Sequence, residues 1–531
     1  MSEYARRNRF RLAALAVFLV ALLLYWPTLR LPLLYDDLLH IRIAKQLNLA
    51  TVWIPTEAFG FYRPLTFFPM LVIRGLFGYY PAWLLHGLNV GQHAVNVILV
   101  IALARRLGRN RLQALATGLL LALFPFAYQA IAVYGHNVHP TTAGLMLVGL
   151  HSYLHGIERQ RARWWLLTGL LFVLSLLSHE SAILFGPLAA LVHWNHRTKE
   201  VSLASGDTGQ TSNPDANLTG SAQTEGHICG VVVRHRLSAA LRYHPWLLFL
   251  ILGGLYAVVY QFLPLSRTLP GAGSDGGLWL KTLYLLQAAA YPLTWFAHWL
   301  PDARADALVL GGMAVALGLT VWSACCRANR VPLILGWCWW ALASVLLVLP
   351  LPSDYLLNGP RLLYLGAVGL ALLWPVLLDP LRSLPRAGWL IWATAMGLIL
   401  WAGWGFVRDR LDQYAQLASP VALVDQTMAG RPPDEGILLI NLPEWLAPPR
   451  NTYPLGSEHV SMLGYHLFVE ELMVENLREG RPVRAIKLPE LLRDPGYPYS
   501  VFGETDLSRP IQADWSPAGS QVFVITYTED G

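Results

Sequence analysis

Residues 12–29 read LAALAVFLVALLLYWPTL, an apolar run with no charged side chain, preceded by the basic segment Met1 to Arg11. Crossing the hydrocarbon core of a bilayer takes about 20 apolar residues in a helix, and only structures that satisfy their own backbone can cross. The run has that length. No small-residue cleavage site follows it; Arg30, Leu31 and Pro32 come next, so it reads as a first span retained in the chain rather than a signal peptide. Similar runs recur at 83–104, 112–128, 140–157, 164–178, 181–196, 245–263, 307–325, 331–349, 361–378 and 387–406. A further apolar stretch at 278–300 carries Lys281, Pro292 and His298, which suits an interfacial or re-entrant helix better than a span. The expected fold class is an all-α polytopic membrane protein with about 11–12 transmembrane helices.

Composition agrees. Of 531 residues 55% are hydrophobic and 14% charged, against roughly 25% charged in soluble domains, and the mean hydropathy is +0.42. A water-soluble enzyme of this size is excluded. Cys229, Cys325, Cys326 and Cys338 form no disulfide framework.

Basic residues fix the expected orientation, since cytoplasmic connections collect Lys and Arg. Arg6, Arg7, Arg9 and Arg11 precede the first span. Arg105, Arg106, Arg109 and Arg111 follow the second. Arg159, Arg161, Arg163, Arg197, Lys199, Arg234, Arg236, Arg242, Arg327, Arg330, Arg382 and Arg386 fall on the same set of alternating connections. This places the N-terminus in the cytoplasm of a multi-pass inner or plasma membrane protein. The transmembrane domain is expected over 1–406, with a first outer loop at 30–82 and a flexible, Ser/Thr/Gly-rich cytoplasmic loop at 198–242. Residues 407–531 read as a small extracytoplasmic α/β domain, with GILLINL and SQVFVITY as its strands.

The polar residues that remain gather at the outer ends of spans. Tyr35-Asp36-Asp37 follows the first span. Adjacent carboxylates against an apolar wall resist desolvation and repel each other, and such a carboxylate can act as general base toward a hydroxyl; a solvated loop start is the plainer reading. Tyr62-Arg63-Pro64-Leu65 places an Arg before a helix-opening Pro. The planar fork of Arg suits a phosphate, and it also suits snorkelling beside aromatic residues. His86, Asn89, His93 and Asn96 share one helical face, as interhelical hydrogen-bond glue or as the wall of a sugar pocket. Gln129, His136, Asn137, His179, Glu180 and Tyr364 extend this set, Glu180 being suited to a sugar hydroxyl or to an Arg. An Arg at the depth of Arg361 needs an anionic partner, so Arg361 and Arg63 would form the cationic half of a site whose acidic half is Asp36-Asp37.

In this order the pieces resemble the GT-C superfamily of polytopic glycosyltransferases, in particular the protein O-mannosyltransferases and the transmembrane tetratricopeptide-repeat mannosyltransferases. Asp36-Asp37 resembles the acidic motif that supplies the catalytic Asp, Tyr62-Arg63-Pro64-Leu65 the YRPL segment, and Ser178-His179-Glu180-Ser181 the Ser-Lys-Glu turn. Pro360-Arg361-Leu362-Leu363-Tyr364-Leu365 resembles the Arg-Tyr-Leu-Tyr-Leu motif. Gln129 and His179 depart from the family pattern, and no tetratricopeptide tail follows. The resemblance implies transfer of a sugar from a polyprenyl-phosphate donor to a hydroxyl of a protein, lipid or glycan on the extracytoplasmic side, with inversion. Asp36 and Asp37 are then the catalytic residues, Arg63 and Arg361 the donor-phosphate ligands, and Tyr62, His86, His93, His136, Asn137, His179, Glu180 and Tyr364 the sugar and acceptor pocket. No cofactor is expected, a divalent metal stays open, and nucleic acid is not a partner. Rival readings are a transporter or flippase of lipid-linked sugars, which predicts repeated halves, and a sugar-lipid binding protein without turnover.

Overall fold

The computed structural model describes residues 3–57, 59–206, 244–265, 277–300, 304–345, 351–432, 434–440, 442, 444–448, 450–463, 469–477, 482–486 and 521–524. Its helices in chain order are α1 (Glu3–Tyr25), α2 (Asp36–Lys45), α3 (Pro64–Phe77), α4 (Ala82–Arg106), α5 (Arg111–Ala122), α6 (Tyr128–Ala132), α7 (Val138–Arg159), α8 (Ala162–Ser178) and α9 (Phe185–Gly206). They continue with α10 (Trp246–Tyr260), α11 (Gly277–Ala289), α12 (Tyr291–Thr294), α13 (Ala305–Ala324), α14 (Arg327–Trp340), α15 (Ser353–Leu357), α16 (Tyr364–Leu377), α17 (Asp379–Arg382), α18 (Gly388–Met428) and α19 (Val469–Leu477). Several apolar helices of spanning length make this a multi-pass membrane protein.

Each apolar run anticipated as a span contains helix, but among the described residues only five helical segments are long and apolar enough to cross a membrane by themselves: Tyr4–Arg30, Ala82–Arg106, Ala305–Ala324, Pro360–Arg382 and Gly388–Met428. A sixth is reached if α5 and the segment Pro125–Ala132, bent by 46°, count as one span. The reasons for the shortfall are local. Helices α8, α10 and α14 have 17, 15 and 14 residues, and α7 carries His139, His151 and His155 along its length. The run at 181–196 opens as a 3-10 turn, Glu180–Leu184, before α9 begins. Within 278–300, α11 stops at Ala289, three residues before Pro292, and short turns follow.

Two boundaries differ from expectation. Helix α9 runs to Gly206, past the start of the loop expected at 198; residues 207–243 lie outside the described residues. The domain boundary expected at 406/407 falls inside α18. This helix is 41 residues long in all and runs on to Met428, because Arg408, Asp409 and Arg410 end the apolar run without breaking the helix. It stops only at Ala429 and Gly430, the latter with φ +80°.

Helix α16 is the centre of the bundle, with every residue buried. It packs closely on α14 because Gly369 leaves no side chain between them; a Cβ there would lie 2.8 Å from the Trp340 nitrogen. Beyond the bundle, β1 (Ile437–Ile440), β2 (Trp445–Leu446), β3 (Val460–Ser461), β4 (Val483–Ile486) and β5 (Gln521–Val524) build two small sheets. One is parallel with order β4-β1-β5, pairing Ile437 with Val483 and Gln521; the other pairs β2 and β3 antiparallel. The expected strands at GILLINL and SQVFVITY are β1 and β5, so the small α/β unit near the C-terminus is present.

This unit is docked through specific bonds. Gln287 exchanges two hydrogen bonds with the Leu455 backbone, 2.7 and 2.8 Å. Asn476 accepts from the Leu33 amide at 2.7 Å and donates to its carbonyl at 3.0 Å. Arg42 pairs with Glu471 and Lys45 with Glu475. The loop carrying Asp36 is therefore bound to the tail. Among the described cysteines, Cys325, Cys326 and Cys338 are free.

Candidate active site

Asp36 opens helix α2 after Tyr35, whose φ of 48° and ψ of −121° lie outside the regions an L-residue prefers. The tail holds this turn in place: the Tyr35 amide donates to the Met462 carbonyl. On the other side, Gly135 lies against the Asp36 backbone. A Cβ at 135 would come within 2.6 Å of the Asp36 carbonyl oxygen, so glycine is the residue that permits the approach.

The two neighbouring carboxylates have opposite fates. Asp37 is fully buried; its Oδ1 accepts from the Gly135 amide at 2.7 Å and its Oδ2 from the Leu34 amide at 3.0 Å. Burial pushes its carboxyl up to about 7, against the pull of those two amides. Asp37 thus staples two loops together and has no surface for a substrate. The side chain of Asp36 keeps 23% exposure, meets His136 Nε2 at 2.8 Å through Oδ2, and has Arg361 Nη2 at 4.0 Å. Burial alone would raise its carboxyl. The hydrogen bond and charge of His136, with Arg361 behind, outweigh that and hold it well below the ordinary carboxylate range. Asp36 is the ionised, reachable member of the pair.

Arg361 is 6% exposed and lies in a 3-10 turn, Pro360–Leu363, leading into α16. Its Nη1 donates to Gln129 Oε1 at 2.8 Å, and its guanidinium carbon is 5.4 Å from the Tyr355 ring centroid. Gln129 is a neutral acceptor, so it orients Arg361 without cancelling its charge. The same residue offers its backbone carbonyl to His136 Nδ1 at 2.9 Å and donates to the Asn358 carbonyl at 3.2 Å.

Arg63 is differently engaged. It forks onto Glu180, with Nε 3.2 Å from both carboxylate oxygens and Nη2 at 2.9 Å from Oε2, and Tyr260 donates to Glu180 Oε1 at 2.6 Å. Burial would raise the Glu180 carboxyl, but Arg63, His179 and Tyr260 hold it well below the usual range. Expected to grip a phosphate, Arg63 is instead neutralised by Glu180, and Glu180 is occupied by Arg63 and Tyr260 rather than open to a sugar. The two halves of the site nonetheless converge: His40 is within electrostatic range of Asp36, Arg63, His136 and Arg361.

The polar face of α4 is hydrogen-bond glue for broken backbone. Asn89 Nδ2 donates to the carbonyls of Ala130, Ile131 and Val133 at 2.9, 2.9 and 3.0 Å. Asn96 donates to the Pro140 carbonyl at 2.7 Å, and His86 Nε2 lies 3.2 Å from the Pro32 carbonyl. Tyr364 accepts from Asn96 at 3.1 Å, and its hydroxyl lies within hydrogen-bond reach of His93 Nδ1 at 2.7 Å. His86, His93 and Tyr364 are fully buried in these contacts, which corrects their placement in a sugar pocket. Helix α6 can depart from regular geometry because Asn89 takes up the carbonyls it frees.

The remaining residues line the periphery. Asn137 donates to Asn89 at 3.0 Å and accepts from Thr141 at 2.6 Å. Tyr62 donates to the Trp53 carbonyl at 2.8 Å, and His179 caps its own turn by accepting from the Ser181 amide at 3.1 Å. His40, Tyr355 and Tyr260 belong to the site without having stood out in the sequence, since no local spacing marks them. At the far end of α4, some 30 Å away by helical rise, Arg106 pairs with Glu158 at 2.8 Å and donates to the His151 carbonyl; His151 and His155 stand apart from the Asp36 centre. No group of three or more His, Cys, Asp or Glu able to hold a metal ion occurs among the described residues.

Residues 81–205 match the dolichyl-phosphate-mannose-protein mannosyltransferase family. The matched stretch runs from α4 into α9 and carries His136 and Glu180 but neither Asp36 nor Arg361. Among solved structures the chain is similar to the archaeal oligosaccharyltransferase AglB from Archaeoglobus fulgidus, in complex with an inhibitory peptide and a dolichol-phosphate, with a TM-score of 0.46 and 10% identity. That similarity covers 90% of this chain and 65% of the other, so this chain spans under two thirds of that protein's length. No curated protein sequence matches the chain. The chain thus resembles the GT-C glycosyltransferases by its family match as well as by its motifs.

Proposed function

We propose that the protein is a membrane glycosyltransferase that moves a sugar from a polyprenyl-phosphate donor to a hydroxyl acceptor at the extracytoplasmic boundary. The observation that carries this reading is the pairing of an ionised, partly exposed Asp36 with Arg361, 4.0 Å away and held by a neutral side chain. Transfer poses two problems: the acceptor hydroxyl must lose its proton as it attacks, and the leaving lipid phosphate must carry away the bonding pair. Asp36 answers the first as general base. Arg361 answers the second as a preorganised cation facing the developing charge. The dolichyl-phosphate-mannose of the matched family's description supports a lipid-phosphate donor, and the apolar helices supply a surface for its tail.

Inversion at the anomeric carbon fits the carboxylates. A double displacement wants a second carboxylate about 5 Å from the first, whereas Asp37 is tied to two amides and Glu180 to Arg63. The charge of the basic connections supports a sidedness with the Arg106 end in the cytoplasm and the Asp36 end outside.

The test is purified protein in lipid nanodiscs with a panel of polyprenyl-phosphate sugars, following released polyprenyl phosphate. Asp36→Asn should lower turnover by about 10²–10⁴-fold while the protein still inserts and folds. Undiminished release by that variant removes Asp36 from the role, and donor binding without release by the wild type points to a binding protein.

A further inference from the structure

We infer that His136 is held as an imidazolium and acts as the positioning residue that keeps Asp36 ionised with one oxygen turned to the acceptor. The inference rests on Asp36 being the base. It comes from counting protons across two hydrogen bonds. His136 Nδ1 is 2.9 Å from the Gln129 carbonyl oxygen, and a carbonyl only accepts, so Nδ1 carries a hydrogen. His136 Nε2 is 2.8 Å from Asp36 Oδ2. A neutral ring with its hydrogen on Nδ1 would set the Nε2 lone pair against a carboxylate lone pair. The other tautomer would set Nδ1 against the carbonyl. Satisfying both contacts requires one proton more than a neutral imidazole and a carboxylate hold between them.

That proton belongs on His136. The ring is 2% exposed, so no solvent stands in for a missing donor, and it sits on a turn fixed by the three Asn89 bonds and the close approach of Gly135. The groups facing the pair come from several elements. Burial and then Arg361 oppose the imidazolium and pull the ring below the ordinary histidine range, so the proton is held there by the geometry of the two hydrogen bonds and by the charge of Asp36. Arg361 favours ionised Asp36; Asp37 opposes a charge on Asp36; His40 and His139 are within electrostatic range; and the Tyr35 ring lies edge-on to His136 at 5.6 Å. Protonating Asp36 instead would leave a neutral acid beside Arg361.

The consequence for transfer is geometric. Oδ2 is tied to the ring, and Asp36 Oδ1 takes no hydrogen bond among the described residues. The acceptor proton passes to Oδ1 as the acceptor oxygen bonds to the anomeric carbon. The bond from that carbon to the phosphate oxygen breaks, and its electron pair leaves on the phosphate. His136 retains both of its protons throughout, and Asp36 releases the acquired proton after product departs.

The experiment uses the full chain in nanodiscs with 13C,15N-histidine, the His136 signals being assigned by their loss in His136→Gln. At pH 7 both His136 ring nitrogens should be protonated, and in Asp36→Asn the ring should become neutral. A neutral ring in the wild type, or an imidazolium unchanged in Asp36→Asn, overturns the inference. With polyprenyl-phosphate mannose as donor probe, His136→Gln should keep much of the plateau rate, because the amide still donates to Oδ2. Its acid limb in kcat/KM should rise by about 1–3 pH units, the effect of removing an adjacent opposite charge. An acid limb that does not move counts against the role, whereas a merely structural histidine would lower the plateau alone. If no donor is turned over, the transfer reading fails and the histidine spectra still decide the proton's place.

Discussion

The backbone amide of Tyr35 donates to the carbonyl of Met462 at 2.7 Å, so the residue before Asp36 is held from the far end of the chain. Asn476 reinforces the link with two bonds to Leu33. Asn476→Ala should destabilise the protein by about 1–3 kcal/mol, the range for stranding buried backbone groups. Transfer should fall by more than stability does, because the freed turn carries Asp36. Thermal unfolding and turnover measured on the same nanodisc sample compare the two; equal activity at a temperature where both proteins are folded would contradict it.

Gly135→Ala introduces a methyl group where the Asp36 backbone already sits. The loops must part, which costs about 1–3 kcal/mol as overpacking, and the His136–Asp36 contact parts with them. The expected result is an inserted protein with turnover close to that of Asp36→Asn. A variant with wild-type turnover would show that the approach of these loops is immaterial.

Arg63 and Glu180 should behave as one unit in a double-mutant cycle. Glu180→Gln strands Arg63 and Arg63→Gln strands Glu180, each at less than the ~3–5 kcal/mol of a fully buried pair, since the side chains keep 20% and 27% exposure. Losing both together should cost less than the sum. Because Glu180 is held below its ordinary range, the pair's contribution is complete above the unfolded carboxyl value and disappears as pH falls. Additive losses in thermal unfolding would mean that the two groups act independently.

Asp37 gives the opposite pH signature. Its carboxyl is raised to about 7 in the folded protein, so between about 4 and 7 the folded state binds the extra proton. Stability therefore falls as pH rises through that window. The difference in unfolding temperature between wild type and Asp37→Asn should drift across it in that sense, with the wild type losing ground toward pH 8. A difference independent of pH would place the titration elsewhere.

Much of the architecture is legible in the chain because its cause is local. Apolar length writes where the helices fall, though fewer of them than expected are long enough to cross a membrane alone; alternation writes β1 and β5, and the i, i+3, i+7, i+10 spacing of His86, Asn89, His93 and Asn96 writes one polar face. What that face touches is not local: Asn89 serves carbonyls more than forty positions on. The Asp36-Asp37 motif marks the site, yet which carboxylate turns inward depends on amides at Leu34 and Gly135. Arg63 looks available until Glu180, 117 positions later, is brought against it. His40 and Tyr355 carry no pattern at all. Helix α18 outruns its apolar stretch because charge ends hydrophobicity without ending a helix.

The unfavourable backbone at Tyr35 has a consequence for folding. A residue in that conformation relaxes unless its surroundings hold it, and here the holding groups, Met462 and Asn476, lie more than four hundred positions further along the chain. The turn at Tyr35 therefore cannot be held in this conformation until Met462 and Asn476 are in place. The turn that presents Asp36 is thus a product of tertiary closure, formed only once residues more than four hundred positions later have folded against it.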